Sequence, residues 1–379
     1  MIARTLIASL AWFLVAQPAA AEVAWGPGDR EIVLGQSASF TGSYSAQAIS
    51  YRNGANAYFD AINSKGGIHG RKIRLISLDD GYDVEKAVAN TKKLIQDEKV
   101  LALFNYTWTN TVKASLPLAQ KAAIPMFAPY TGSADFYADQ APYLFTTRAS
   151  FSDELEQIIK HLHTIGLTKV GLLYNDSASG RELLAETESR LTAEGMTLVG
   201  KGTMKANSKD PAGAVASLKD SSPQALIIGA SGSDAVEFIR AFEKARTGHT
   251  QYYARSLIGM QQMIADLGPL AVGLSISQTA PNPGKNKAIA VEYRKVLEQW
   301  NPQASADYIG LEGMISAKVL VEVLRRAGPA LTREAFVQAL ERMTEYDVGG
   351  YTLRFGPRKH SGSHFVDITH IGQNGRIVD

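Results

Sequence analysis

The chain has no cysteine in 379 residues. It therefore uses neither disulfides nor thiolate metal sites, and offers no cysteine for an N-terminal lipid. Long apolar runs are also missing. The one candidate, Leu6 to Ala16, is too short to span a bilayer. It follows Arg4 and leads to Ala19-Ala20-Ala21 before Glu22, the layout of a secretory leader cleaved after Ala21. The expectation is an exported, soluble chain without a lipid anchor. Net charge is nearly absent, at +2, which gives no support for a nucleic acid or an anionic membrane as partner. An apolar fraction of 45% with 20% charged residues suits an ordinary packed core, and the length suits about two domains.

Familiar catalytic signatures are missing as well. There is no G-x-S-x-G elbow, and Gly229-Ala230-Ser231-Gly232-Ser233 reads instead as a loop at a strand end. No G-x-G-x-x-G, phosphate loop or H-E-x-x-H is present. The seven histidines match no familiar metal-ligand spacing, so no metal and no cofactor is expected. Asp79-Asp80 closes a predicted strand. Such a pair could do acid/base work, but the favoured reading is that it shapes the turn or faces water.

What the chain has is alternation of strands and helices. In the stretch from Val100 to Gly132, an apolar run (Val100–Phe104) leads to a polar and aromatic patch. Apolar residues then recur at helical spacing, and a second apolar run, Ile124–Ala128, ends in Pro129-Tyr130-Thr131-Gly132. That is one parallel βαβ unit, whose loops leave the carboxyl ends of their strands on the edge where open α/β sheets bind ligands. Strands are also predicted at Ile32–Ala38 and Lys72–Leu78, and a second series runs from Lys169–Tyr174 through Met196–Gly202 and Ala225–Gly229, with helices between. Later come a strand at Val272–Thr279, the Pro/Gly segment Ala280–Gly284, a long apolar helix at Tyr308–Arg326 and short strands after Gly349-Gly350. Two such series imply an α/β protein of two doubly wound, Rossmann-like lobes.

The loops at strand ends are rich in hydroxyls: Ser39, Thr41, Thr109, Thr131, Ser179, Ser231 and Ser256. Thr109 and Ser179 fall at predicted helix starts, where free N–H groups favour an anion, although capping explains any one such residue. Tyr106, Trp108 and Tyr130 could wall a pocket or simply pack their loops.

Several motifs occur in an ordered series: Ser39-Phe40-Thr41-Gly42, Asn63 to Ile73 (NSKGGIHGRKI), Leu78-Asp79-Asp80-Gly81-Tyr82, Ala87-Val88-Ala89-Asn90, Pro125-Met126-Phe127-Ala128-Pro129 and Leu311-Glu312-Gly313. Together they resemble the periplasmic binding proteins of branched-chain amino acid ABC transporters, over essentially the whole chain after the leader. The resemblance implies a periplasmic monomer with two lobes joined by three crossovers, a ligand cleft between them, and no catalysis. It divides the chain into 22–146 with 275–350 for lobe one, and 147–274 with 351–379 for lobe two. It implies a small-molecule ligand, an amino acid or an aromatic or aliphatic carboxylate, captured by hinge closure and passed to an ABC permease.

Carried over position by position, the family's carboxylate-accepting hydroxyl falls on Thr109, and a second cluster on Tyr130, Thr131 and Gly132. Trp108, Tyr106 and Tyr130 would pack the body of the ligand. Phe40 and Gln47 are candidates beyond the first strand, and the family's aromatic there falls near Gln47. Ser179 stands where the second lobe usually has an aromatic before a glycine. Ser231, Ser256 and Tyr308 complete the candidates. Amino-acid binders of the family hold the ligand's ammonium with a carboxylate in the segment that here reads Tyr253 to Met260 (YARSLIGM), which contains no acid. Burying an ammonium unpaired costs several kcal/mol, against about 8 kcal/mol for a whole micromolar complex. Either Asp80, Asp176 or Asp234 substitutes, or the ligand has no ammonium. Two other readings remain: a module sensing a ligand for a signalling partner, and an exported hydrolase built on Asp79, Asp80 and a histidine.

Overall fold

A computed structural model describes residues 30–378, apart from 138–140 and 207. The expected leader, residues 1–21, lies outside the described residues. Among the described residues no helix is long and apolar enough to cross a membrane.

The first series runs β1 (Glu31–Ala38), α1 (Ser45–Asn63), β2 (Lys72–Asp79), α2 (Val84–Gln96), β3 (Ala102–Phe104), α3 (Thr109–Lys121), β4 (Met126–Phe127) and β5 (Leu144–Phe145). The second runs α4 (Phe151–Thr164), β6 (Lys169–Asn175), α5 (Ala178–Ala193), β7 (Thr197–Met204), α6 (Ala212–Leu218), β8 (Ala225–Ile228), α7 (Gly232–Ala245), β9 (Gln251–Ala254), α8 (Met260–Leu267) and β10 (Ser275–Gln278). The chain then returns with α9 (Ala288–Trp300), α10 (Tyr308–Ala327), α11 (Arg333–Glu341), β11 (Tyr346–Asp347) and β12 (Thr352–Leu353), and ends on β13 (Asp367–Ile371) and β14 (Ile377–Val378).

Side chains at the helix starts explain why these segments are helices. Asp83 caps α2 by accepting from the Lys86 amide at 2.9 Å. Ser150 and Asp153 form a reciprocal capping box on α4, and Asp307 and Thr332 cap α10 and α11. The strands β3, β4 and β8 are buried on both faces, as short continuous apolar runs between helical layers must be.

One sheet has five parallel strands in the order β2-β1-β3-β4-β5. The other has seven, β14-β13-β10-β9-β8-β6-β7, in which β13 alone runs against the rest and so pairs antiparallel with both β10 and β14. Each parallel part repeats one doubly wound order, so the two lobes are alike in topology although not in sequence.

Two segments sit differently from the expected division of the chain. Ser275–Gln278, expected in lobe one, pairs with β9 and β13 and so belongs to the seven-stranded sheet. Tyr351, Leu353 and Phe355, expected in lobe two, pack into the core formed by α1, α9, α10 and α11. The chain changes lobe only after completing a strand or its packing, near 146–150, 279–287 and 356–366. These three crossovers lie side by side. Thr146 bonds the third through the His360 carbonyl (2.9 Å) and the Gly362 amide (2.8 Å). The Tyr351 hydroxyl reaches the carbonyls of Thr147 and Thr279, each at 3.1 Å, and so ties the first crossover to the second.

Candidate functional site

In a doubly wound sheet the loops diverge where the strand order reverses, and a crevice opens outside the carboxyl ends of the strands. Here those points lie between β1 and β3 in one sheet and between β6 and β8 in the other. Both face one cavity of about 70 Å³. Lobe one supplies Tyr44 after β1, Tyr82 after β2, and Trp108 and Thr109 after β3. Lobe two supplies Phe151 at the start of α4, Asn175 and Ser179 around the β6 end, Gly229 and Ser231 after β8, and Arg255 and Leu257 after β9.

The walls are mainly aromatic. Tyr44 lies 4.8 Å from both Tyr82 and Trp108, centroid to centroid, and Trp108 meets Tyr82 edge-on at 6.2 Å. Trp108 holds φ +70°, a left-handed conformation unusual for a large residue, and its buried indole N–H makes no hydrogen bond. Strained backbone and an unpaired donor at one residue are features that functional sites tolerate.

Of the candidate residues, Trp108, Thr109, Ser179 and Ser231 line the cavity. The Thr109 hydroxyl is 2.8 Å from that of Thr131, which is fully buried and does not line the cavity. Tyr130 stands behind this wall, packed on Tyr51 and Trp108. Tyr106 points away: its hydroxyl meets Thr91 at 3.1 Å in the core beneath α2 and α3, because left-handed backbone at Asn105 and Trp108 turns the chain on either side of it. Gly132 is a joint between lobes, with its carbonyl accepting from the Phe151 amide at 2.6 Å; a Cβ there would fall 2.7 Å from that nitrogen. Phe40 lies outside the cavity under the Arg52 guanidinium, 4.1 Å from its ring centre. Gln47 bridges the lobes by donating to the Ile258 carbonyl at 3.2 Å. Tyr308 packs into the second lobe's core at the start of α10.

Ser256 takes part in a buried ionic network. Arg148, fully buried on the first crossover, donates to Glu154 Oε1 at 3.1 Å and to the Ser256 hydroxyl, and its Nε lies 3.5 Å from Glu312 Oε1. Glu154 also accepts from the Ser256 amide (2.7 Å) and the Ser277 hydroxyl (2.6 Å), while Glu312 accepts from Thr279 at 2.8 Å. Burial alone would lower the Arg148 pKa, but Glu312 and Glu154 more than reverse it and leave it above the ordinary value. Burial raises the Glu312 carboxyl, against the opposing pull of Arg148. The network joins α10 of lobe one to α4, β9 and β10 of lobe two behind the cavity.

The acidic candidates are engaged elsewhere. Asp79 accepts from Thr41 Oγ1 (2.7 Å) and from the amides of Phe40, Thr41 and Gly81; burial would raise its pKa, but these bonds hold it below the usual value. Asp80 is fully buried, raised by that burial, and accepts from Ser37, Ser39 and the Tyr82 amide. The pair shapes the turn after β2. Asp176 is paired with Arg181 at 3.0 Å, and Asp234 accepts the Lys209 amide at 3.0 Å and, across the lobes, the hydroxyl of the cavity-wall residue Tyr44 at 3.5 Å. Among the described residues, no carboxylate lines the cavity.

Tyr44, Tyr82, Phe151, Asn175, Arg255 and Leu257 were not among the site candidates. The signal for most was their place in a loop after a parallel strand. Arg255 stood inside the acid-free segment and could have been read as a charge of the opposite sign.

Residues 31–376 match the family described as periplasmic binding protein. The Leu/Ile/Val-binding protein homolog 8 of Brucella abortus (strain 2308) is 23% identical over 375 residues, covering 92% of this chain and 90% of that protein. A solved substrate-binding periplasmic protein from Ralstonia solanacearum is 31% identical, with a TM-score of 0.86 over 92% of this chain and 99% of its own. The structure of a possible leucine/isoleucine/valine-binding protein from Rhodopirellula baltica SH 1 superposes with a TM-score of 0.88 at 24% identity, over 93% and 97%. The chain belongs to the periplasmic binding protein family, with the type I fold of the receptors that serve branched-chain amino acid ABC transporters.

Proposed function

We propose that this receptor captures a small solute with an apolar or aromatic body in the cavity between its lobes and delivers it to an ABC importer. The observation that carries the reading is the convergence of both switch points on one aromatic-walled cavity. At about 70 Å³ the space is below the roughly 150 Å³ that accommodates a benzene ring. A ring-sized ligand therefore fits only with the lobes further apart than they stand here, and capture is a hinge closure about the three crossovers. The closed lobes would be the form that docks on the permease. Trp108, Tyr44 and Tyr82 pack the ligand from lobe one, and Ser179, Ser231 and Phe151 meet it from lobe two. No reaction is assigned to the site, because Asp79 and Asp80 are occupied in holding a turn.

The test is equilibrium dialysis of the ligand-stripped protein against a defined solute mixture, with mass spectrometry of what is retained. Retention of a solute of unchanged mass, abolished by Trp108→Ala, supports the reading. A converted product refutes it. Uptake assays in cells with and without the coding sequence separate transport from sensing: unchanged uptake with an altered transcriptional response favours a sensory role.

A further inference from the structure

Among the described residues, the cavity lining carries one cation, Arg255, and no anion. Arg255 follows β9 at its carboxyl end and is half-buried in the cavity wall. Its guanidinium stacks 4.2 Å from the centre of the Phe151 ring. Stacking orients the plane and leaves the N–H edge free, and among the described residues the Arg255 side chain makes no hydrogen bond or ion pair. The carboxylates that act on it from a distance, Glu154 and Glu186, are already bound. Glu154 holds Arg148, Ser256 and Ser277; Glu186 holds Arg190 at 3.0 Å and the Ser152 hydroxyl. A guanidinium partly withdrawn from water, preset by a ring and lacking a contact anion, is prepared for one from outside.

The opposite wall strengthens the case. The hydroxyl cluster expected to take a carboxylate in lobe one is largely engaged: Thr109 and Thr131 bond each other, Thr131 is sealed off, and Gly132 faces Phe151. The aromatic rings of Tyr44, Tyr82 and Trp108 can cover an apolar body; their faces also attract cations, but an ammonium would meet no carboxylate in the described lining and would be repelled by Arg255.

We infer that Arg255 receives the carboxylate of a ligand that has no ammonium group, an aromatic or branched aliphatic monoacid whose body lies against Trp108 and Tyr82. The inference rests on the receptor reading above and reverses the usual polarity of recognition, with the ligand's charge held by lobe two. Planar carboxylate and planar guanidinium meet through two parallel N–H···O bonds, which lysine cannot reproduce.

The experiment uses matched probes: benzoate, benzamide and phenylalanine, then 3-methylbutanoate and valine. Each is titrated calorimetrically into the ligand-stripped chain and into Arg255→Gln, Arg255→Lys and Arg354→Gln; the last removes an exposed arginine paired with Glu345. The expected result is that a carboxylate binds the parent best. Its Kd rises at least tenfold in Arg255→Gln, which is about 1.4 kcal/mol. The rise is smaller in Arg255→Lys and absent in Arg354→Gln. Melting of each ligand-free variant confirms folding, and should Arg255→Gln not fold, the lysine variant still reads the loss of bidentate geometry. Equal carboxylate affinity in Arg255→Gln and the parent overturns the inference. So does tighter binding of phenylalanine, valine or benzamide, an outcome that leaves the receptor reading standing. Binding of no probe at all overturns both.

Discussion

Replacing Arg148 with methionine isolates the ionic network behind the cleft. The side chains of Arg148 and Glu154 are 1% and 0% exposed and that of Glu312 is 5% exposed, so solvent screens none of them to any useful degree. Methionine fills much the same length without the charge. It leaves two carboxylates buried in one pocket, still solvated by the Ser256 amide and the hydroxyls of Ser256, Ser277 and Thr279 but with no cation between them. Breaking a buried pair in this way typically costs about 3–5 kcal/mol, a large share of the ~5–15 kcal/mol that holds a domain folded. The sign of the pH dependence follows. Burial already raises the Glu312 carboxyl, and without the opposing guanidinium it rises further above its unfolded value. The folded state then binds more protons than the unfolded one, and stability falls as pH rises between the two values. The deficit of Arg148→Met relative to the parent is therefore largest at pH 7 and shrinks toward pH 5. Urea denaturation followed by circular dichroism at pH 5, 6 and 7 measures it. Adding Glu312→Gln should recover part of the loss at pH 7 and flatten the pH trend. A loss below about 1 kcal/mol at pH 7, or one that does not change with pH, would refute the reasoning that the guanidinium opposes the upward push of burial on the Glu312 carboxyl.

Three further perturbations test closure and framework. Gly232 sits at φ +57°, and a Cβ there would meet the Ser43 carbonyl of the other lobe at 2.7 Å; Gly232→Ala should weaken ligand binding several-fold by calorimetry, more than it lowers the melting temperature of the ligand-free chain. Gly54 lets α1 lie against α10, where an added Cβ would fall 1.8 Å from the Gly310 carbonyl oxygen, so Gly54→Ala should destabilise lobe one by about 3 kcal/mol in denaturant titrations. Tyr351→Phe removes the hydroxyl shared by the Thr147 and Thr279 carbonyls and should cost about 1 kcal/mol of thermal stability, with ligand affinity changed less than threefold.

The layered fold was legible because its strands are short buried runs separated by helices of 3.6-residue period. Alternation along the chain also distinguished parallel lobes from a sandwich. The limits were at lobe boundaries, where pairing decides membership. Nothing local in Ser275–Gln278 says whether its neighbour is β9 or a strand of the other sheet; both would bury it. The site was legible as a set of loops, and Trp108, Thr109, Ser179 and Ser231 came from that logic. Which way each residue faces was not. Tyr106 and Trp108 are two positions apart in one loop, yet the first fills the core under Thr91 and the second lines the cavity, because the left-handed residues Asn105 and Trp108 redirect the backbone around them. A sequence pattern of period 2 does not survive two such residues in four.

The charge at the cleft shows how one segment can be informative through both what it lacks and what it has. The stretch from Tyr253 to Met260 lacks the acid that an ammonium would need, and that absence excludes little while Asp80, Asp176 and Asp234 remain available in principle. Their hydrogen bonds engage each in turn: Asp80 is sealed among Ser37, Ser39 and Tyr82, Asp176 is tied to Arg181, and Asp234, outside the lining, holds the Lys209 amide with one oxygen and the Tyr44 hydroxyl with the other. Ser256, at the centre of the acid-free stretch, serves Glu154 instead of a ligand. Its neighbour Arg255 is left in the cavity wall with a ring beneath it and no anion beside it. The electrostatic preference of the site thus follows from where every nearby carboxylate has already been placed, and a ligand that brings its own carboxylate supplies the one charge the cleft lacks.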